Sequence, residues 1–344
     1  METILLLTAT EADGRLGRAA LVTLGAALSL RTALGDAALV VGLWGGQTRA
    51  GADQIAGCGA GRFLAVTGAD FEPSRYATDA AAAEALVRAS GATLVLAPGT
   101  GRLLRCLPGV AQRVGGRVDS HVTGLAATDG RLAINRWYYR QRMEATLTRT
   151  TRPWFTLIDP GSQPAAAESP GTAGVEEVAV TVPDAARRTT VVGVRAPAAA
   201  ARTIRPDAKL LFVTGAGWTK KQGDGAAHPA EAEQLIGDFL RASGASLGSS
   251  KSLVDLGGEG QAVLSFLSHL NQIGQTGATP RHPKGLATCC HGEEPHTVGW
   301  RFIHERRAVN LDPGCGWARG KADVLYVADA FAVMRAVNAL LAAG

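Results

Sequence analysis

The sequence predicts an α/β protein of two domains. The first is an N-terminal αβ domain with an antiparallel extension, and the second is a C-terminal domain built on a doubly wound parallel sheet. Three observations lead there. The chain has 344 residues, more than one ordinary domain needs. Short apolar runs alternate with helix-patterned segments from Ile4 to Val114, the rhythm of a parallel sheet covered on both faces. The same rhythm restarts at Lys209, after an Ala-rich passage bounded by Pro197 and Pro206. Residues 1–195 are therefore taken as the first domain, 196–207 as a linker and 208–344 as the second domain.

Each element has its own signal. Ile4 to Leu7 reads as a buried first strand, and Leu16 to Leu34 carries apolar residues at helical spacing. Ala38–Trp44 and Arg62–Val66 read as the next strands, and Asp79–Ala89 as an Ala-rich helix. Thr93–Ala97 is a fourth strand, with a helix over Gly101–Val114. The helices then stop. Arg131–Asn135, Trp137–Gln141, Ala145–Thr151 and Trp154–Ile158 read as short strands of the antiparallel extension. Gly161–Gly174 is rich in Pro, Ala, Gly and Ser and reads as a loop, and Val175–Thr181 and Thr189–Arg195 read as strands. In the second domain, Leu210–Val213, Leu286–Cys289, Ala308–Leu311 and Val324–Ala328 read as strands. Glu231–Ala242, Gln261–Leu270 and Phe331–Leu341 read as helices. A doubly wound sheet places its ligand cleft at the carboxyl ends of its strands.

Composition excludes several classes. Hydrophobic residues make up 46% and charged residues 19%, enough apolar surface for a core and too much for disorder. Lys and Arg exceed Asp and Glu by 35 to 30, and the excess is scattered apart from Arg187–Arg188 and Arg306–Arg307. With no basic-aromatic stripe, nucleic acid is not an expected partner. The most apolar stretch, Leu28–Trp44, is broken by Arg31 and Asp36, so no membrane insertion is expected. The chain opens Met1-Glu2-Thr3, without a basic leader. Five cysteines, an odd number, argue against a disulfide framework and for a reducing cytoplasm.

Several stretches carry potential chemistry. Gly99-Thr100-Gly101 opens a helix after a strand, but Leu104 stands where a dinucleotide fingerprint needs its third glycine, so a tight turn is the simpler reading. Gly320-Lys321 is followed by Ala322, which excludes a P-loop. Gly215-Ala216-Gly217 ends the second domain's first strand, with Lys220 and Lys221 close behind. It reads equally as a phosphate cradle or an ordinary loop. Gln272-Ile273-Gly274-Gln275-Thr276-Gly277 offers backbone N–H groups, an amide and a hydroxyl to one polar ligand; alternatively it is a glycine-punctuated turn. Cys289-Cys290-His291-Gly292-Glu293-Glu294-Pro295-His296 is dense in ligating groups. A zinc site prefers cysteines two to four apart, however, because adjacent side chains diverge. A metal site with Cys315, a Cys nucleophile with His296 as base, and a helix start with His296 facing the cleft all remain open. Asn310 and Asp312 stand where a strand end could hold an adenosine moiety, or where Asp-Pro simply starts a turn.

In this order the blocks resemble the alpha subunit of electron transfer flavoproteins. The corresponding stretches are Gly215–Trp218, Ser250-Lys251, Gln272–Gly277, Cys289–His296 and Asn310–Asp312 in the second domain. In the first they are Leu96-Ala97-Pro98, Asp119–Thr123 and Arg136-Trp137-Tyr138-Tyr139. Gly-Trp-Thr-Lys-Lys at 217–221 and Cys-Cys-His-Gly-Glu-Glu-Pro-His at 289–296 resemble the branch that accompanies bacterial catabolism of N-methylated amines such as dimethylglycine.

The resemblance implies an electron carrier rather than a substrate-converting enzyme. It implies a Rossmann-like second domain that holds FAD, a first domain that associates with a beta subunit, a flavin-dependent dehydrogenase as donor and a quinone-linked oxidoreductase as acceptor. It places Gly215, Gly217, Ser250, Lys251, Gln272, Gly274, Gln275, Thr276, Gly277, His291, His296, Asn310 and Asp312 around the cofactor. Gln275 and Thr276 would meet the ring and ribityl region and His296 the O2 edge. Ser250 and Lys251 would stand near the ring or phosphates, and Asn310 and Asp312 near the adenosine end. Hydrogen bonds and positive charge at N1/O2 stabilise the anionic reduced ring. The chain departs from the family pattern in three places. Gly217 replaces an arginine and Lys251 replaces another, keeping charge but losing the planar fork. Glu293 and Glu294 stand where a pyrophosphate would meet a helix N-terminus. Two other readings therefore stay open: a docking subunit without its cofactor, and an iron–sulfur or metal protein using Cys289, Cys290 and Cys315.

Overall fold

The computed structural model describes residues 2–128, 130–138, 143–193, 204–205, 208–256, 263–273, 282–288, 303–314 and 322–343. The chain forms two compact units, Met1–Val194 and Arg195–Gly344.

The first unit runs β1 (Thr3–Ala9), α1 (Arg18–Ala33), β2 (Ala38–Gly45), α2 (Arg49–Gln54), β3 (Arg62–Thr67), α3 (Tyr76–Ser90), β4 (Leu94–Pro98) and α4 (Gly101–Arg113). It continues through β5 (Arg117–Thr128), β6 (Arg131–Tyr138), β7 (Met143–Thr148), β8 (Trp154–Ile158), β9 (Val175–Glu177) and α5 (Asp184–Arg187). These strands make one sheet in the order β7-β6-β5-β8-β4-β1-β2-β3-β9. Ile4, Leu5, Leu6 and Leu7 are all fully buried, as a central parallel strand with both faces covered requires.

Four expectations for this unit are corrected. Trp154–Ile158 belongs to the parallel part, not the antiparallel extension: β8 pairs parallel with both β4 and β5. Every residue of β8 is buried, so it needs cover on both faces. Arg131–Asn135 and the described part of Trp137–Gln141, Trp137 and Tyr138, are one strand, β6, because Arg136 is drawn inward to Asp119 instead of breaking the run. β5, not expected at all, pairs antiparallel with β6, and β6 with β7. The described part of Thr189–Arg195, Thr189–Gly193, has no regular structure, and the paired part of Val175–Thr181 is only Val175–Glu177.

A strap of residues 159–174 crosses from β8 to β9 over α1. Ala166 N donates to Leu21 O at 2.9 Å. A Cβ at Gly25, in the middle of α1, would lie 2.4 Å from Pro164 O, so this close approach requires glycine.

The second unit runs β10 (Leu210–Thr214), a 3₁₀ turn (Ala216–Thr219), α6 (Pro229–Ser243), β11 (Ser246–Ser249) and α7 (Lys251–Asp255). A 3₁₀ turn (His269–Asn271), β12 (Lys284–Thr288), β13 (Glu305–Asn310), β14 (Val324–Val327) and α8 (Ala330–Ala343) follow. The sheet order is β11-β10-β12-β13-β14, parallel throughout. The chain winds one way from β10 to β11 and the other way from β12 onward, so the switch point lies between β10 and β12. Phe212, Trp218, Ile236, Phe239, Phe331 and Met334 fill one core cluster of this unit. No α-helix forms in the described part of Gln261–Leu270, Val263–Leu270, whose last two residues lie in the 3₁₀ turn. Ser268 instead caps the short 3₁₀ turn, its hydroxyl accepting from Leu270 N, which is what serine does more readily than sit inside a helix.

Candidate functional site

Of the residues the sequence singled out, Gly215, Gly217, Ser250, Lys251, Gln272, Asn310 and Asp312 are described. Gly274, Gln275, Thr276, Gly277, His291 and His296 lie outside the described residues, as do Cys289, Cys290, Cys315, Glu293 and Glu294.

The carboxyl edge of the second sheet gathers most of the first group. Gly215 N donates to Thr288 O at 2.9 Å, joining the end of β10 to the end of β12. Ser250 N donates to Thr214 O at 2.9 Å, and Ile273 N to Ser249 O at 3.1 Å. Gln272 makes a parallel bridge with Ser249. Gly215, Ser250 and Gln272 are thereby tied to neighbouring strand ends. Asn310 ends β13, two strand spacings from β10, or about 10 Å. A ligand reaching from Ser250 to Asn310 would have to be elongated and lie across the strand ends.

The chemistry of each group follows from its bonds. Ser250 is 4% exposed, and its hydroxyl accepts from Leu253 N at 3.2 Å as the N-cap of α7. Lys251 is half-exposed, its ammonium 3.5 Å from Asp255 Oδ2. Asp255 Oδ1 is 3.0 Å from His269 Nε2. The His269 hydrogen bond, helped by Lys251, holds the Asp255 carboxyl below the usual carboxylate range. Asn310 Oδ1 accepts from Asp312 N at 3.2 Å, and Asp312 Oδ1 accepts from Gly314 N at 2.7 Å, so both side chains shape the turn after β13.

The Gly215–Gly217 stretch is tied more tightly than a free phosphate cradle. The Gly215 N–H belongs to the sheet, and Gln222 Nε2 donates to Gly217 O at 2.9 Å. Trp218, next to Gly217, is fully buried. Its indole donates to Thr288 Oγ1 at 2.9 Å and packs on Phe331, centroids 4.6 Å apart. The donor set at this edge, a hydroxyl, a half-exposed ammonium and a glutamine, suits an anionic, hydrogen-bonding cofactor such as a dinucleotide flavin.

The first unit carries buried polar pairings that the sequence did not disclose, though Asp119, His121 and Arg136 stood in the blocks named above. Asp79, fully buried, accepts from Arg102, from Arg105 and from Trp44 Nε1 at 2.9 Å. Asp119, 1% exposed, accepts from Arg136 at 2.7 Å, from Arg149 and from Trp154 Nε1 at 2.9 Å. Burial pushes the Asp119 carboxyl up, but the hydrogen bonds from Arg149, Trp154 and Arg136 outweigh it and hold it low. An acid within an Ala-rich helix, opposite a run with two arginines, was the available signal for the Asp79 node. His121 has a left-handed backbone, φ 57°, at a β-bulge in β5, with Nδ1 3.2 Å from Asp159 Oδ1.

Gly99 is the tight turn expected. Its N–H donates to Ile158 O at 2.7 Å, where an added Cβ would lie 2.8 Å from that oxygen. A crevice of about 210 Å³ opens beside it between the ends of β1 and β4, but Arg102 on its wall is committed to Asp79 and Phe71 O. Cys58 and Cys106 are free thiols. Burial pushes Cys106 up to about 12 and raises Cys58, so neither is a ready nucleophile.

Among the described residues, no group of three His, Cys, Asp or Glu could hold a metal ion, and no helix is long and apolar enough to cross a membrane. Residues 4–183, more than half of the chain, match the family described as the electron transfer flavoprotein domain. No curated protein matches the chain.

Proposed function

The chain belongs to the electron transfer flavoprotein family, and from that premise we propose that it is an alpha-type subunit that carries electrons on FAD held by its second domain. What supports the reading is the shared end of the second sheet, where Gly215, Ser250, Lys251 and Gln272 surround the ends of β10 and β11. In this reading Ser250 and Lys251 serve the ring or phosphates, and Gly215 and Gly217 let the cofactor approach the backbone. Gln272 leads into Gly274, Gln275, Thr276 and Gly277 at the ring, with His291 and His296 beside it. Asn310 and Asp312 take the adenosine end. When bound, the flavin supplies the one- and two-electron chemistry. The protein orients it, covers it and places positive charge where the reduced ring becomes anionic.

Residues 1–195 associate with a beta subunit, 196–207 serve as linker and 208–344 hold FAD. The donor is a flavin-dependent dehydrogenase, with N-methylated amines as the favoured substrate class, and the acceptor is a quinone-linked oxidoreductase. The odd count of five cysteines supports a reducing compartment, the cytoplasm. The purified chain with its co-purifying partner, once denatured, should release about one FAD per chain. Release of none would favour the second reading, a docking subunit that has lost its cofactor. That reading is supported by Gly217 in place of a cation and by the buried Trp218 beside it.

A further inference from the structure

The chain leaving β10 folds into a closed turn whose first exposed residues are two lysines. The 3₁₀ turn Ala216–Thr219 is buried throughout, and Lys220 and Lys221 then emerge into solvent. Their backbone is held from several sides. Lys220 N donates to Gly217 O at 3.3 Å, and Gln222 Nε2 donates to Gly217 O at 2.9 Å and to Lys220 O at 2.6 Å. Lys221 makes an antiparallel bridge with Ala227, and Gln222 N donates to Ala226 O at 2.8 Å. The acids that follow in the chain are engaged elsewhere. Asp224 accepts from Ala226 N and stands 2.7 Å from His228 Nε2. Glu231 pairs with Arg335, Glu233 accepts from Ser265 N, and Asp255 pairs with Lys251 and His269. Among the described residues, no carboxylate lies within ion-pair distance of Lys220 or Lys221.

The turn stands where a doubly wound sheet takes its ligand. β10 and β12 flank the switch point, and the segment leaving β10 borders the crevice that such a sheet opens there. The 3₁₀ turn also packs against α7, the helix that Ser250 caps. We propose that Lys220 and Lys221 form an anion-binding wall at this edge and hold the diphosphate of a dinucleotide. Adjacent ammonium groups repel one another, and an anion with two charges relieves that repulsion. Each ammonium is a compact charge with three donors, suited to phosphate oxygens. The pair supplies unshared positive charge, which Lys251, facing Asp255, does not. The identity of the anion rests on the reading above, in which the second domain holds a flavin dinucleotide.

Two ligands separate this role from that reading: FAD, and ADP, which carries a diphosphate without the flavin. Their binding to the full-length chain with its co-purifying partner, after removal of bound cofactor, is measured by calorimetry. Lys220→Gln and Lys221→Gln should each weaken both ligands about fivefold and the double variant about twentyfold, the effect of ammonium groups ~4 Å from phosphate in a water-like dielectric. The loss should fade as salt rises from about 0.05 to about 0.5 M, which a structural lesion would not do. Replacing both lysines by arginine should keep the affinity. Lys284→Gln, at the amino end of β12, should leave it unchanged. Affinities within about twofold of the parent in the double variant overturn the role. So does a loss that persists at high salt, or an equal loss in Lys284→Gln, which would assign the effect to net charge. A chain that binds ADP through these lysines but does not bind FAD contradicts the cofactor reading and leaves the diphosphate site standing. A chain that binds neither contradicts both.

Discussion

In the first unit the deeply buried polar groups include two carboxylates, each held by a pair of arginines and a tryptophan N–H: Asp79 by Arg102, Arg105 and Trp44, and Asp119 by Arg136, Arg149 and Trp154. In the second unit no carboxylate is buried among the described residues. Thr214, Ser249, Ser250, Gln272, Thr288 and Asn310, all uncharged, are buried at the strand ends. A buried ion pair with one member removed leaves an uncompensated charge, whereas a missing hydroxyl leaves one weak hydrogen bond unmade. The first unit is thus pinned by charges that cannot be removed singly. Among its described residues, the second buries no negative charge at the edge proposed to take an anionic cofactor.

The largest effect should come from cutting a pin. Asp119→Ala or Asp79→Ala should each cost about 3–5 kcal/mol, because two guanidinium groups lose their shared partner. Hydrogen exchange should localise the loss to the first unit's strands and leave α6 and β10 as protected as before. A loss below about 1 kcal/mol would mean the arginines reach water at little cost. The same node shapes the acid limb. The folded Asp119 carboxyl is held low, so its contribution is fully present above the unfolded value of about 3.9 and is lost as pH falls through the lower folded value. Asp119→Asn should flatten that part of a stability–pH curve; an unchanged curve would assign the acid limb to other carboxylates, Glu2 among them.

Gly25→Ala comes next. Alanine in mid-helix ordinarily stabilises by about 1 kcal/mol, but here its methyl group would meet Pro164 O, so the change should destabilise by about 1–3 kcal/mol. Thermal unfolding reads the sign directly, and a stabilised variant would show that the strap lifts easily from α1.

The smallest effects belong to the second unit. Trp218→Phe keeps the packing on Phe331 and loses the bond to Thr288, costing about 1 kcal/mol. Ser250→Ala uncaps α7 and should also cost about 1 kcal/mol. Both are measurable by urea denaturation. Effects as large as those at Asp119 would erase the contrast between the units.

The parts of the fold legible from sequence were those where local pattern and tertiary role agree. β1, β2 and β4 are short apolar runs buried on both faces, and α1, α3, α4 and α6 have regular helical spacing. β5 was illegible because Asp119 and His121 interrupt its pattern; Asp119 serves the arginines of β6 and of the chain after β7, and His121 reaches Asp159. β11, Ser246–Ser249, is four residues with a central glycine, and its place is set by pairing with β10. The apolar pattern over Val263–Leu267 imitates a helix, but Ser268 starts a new cap. Of the residues that the resemblance singled out, the structure brings Gly215, Ser250 and Gln272 to neighbouring strand ends. The pairing of Lys251 with Asp255 and His269 was not legible, because His269 reaches α7 only through a turn that the sequence read as helix.

That this chain carries electrons on a flavin, as proposed above, is read out by the visible absorption spectrum of the protein with its co-purifying partner. The expected spectrum shows the two bands of an oxidised flavin, bleached by dithionite and restored by an electron acceptor. A protein without visible absorption, or with a broad iron–sulfur envelope in place of flavin bands, would contradict it.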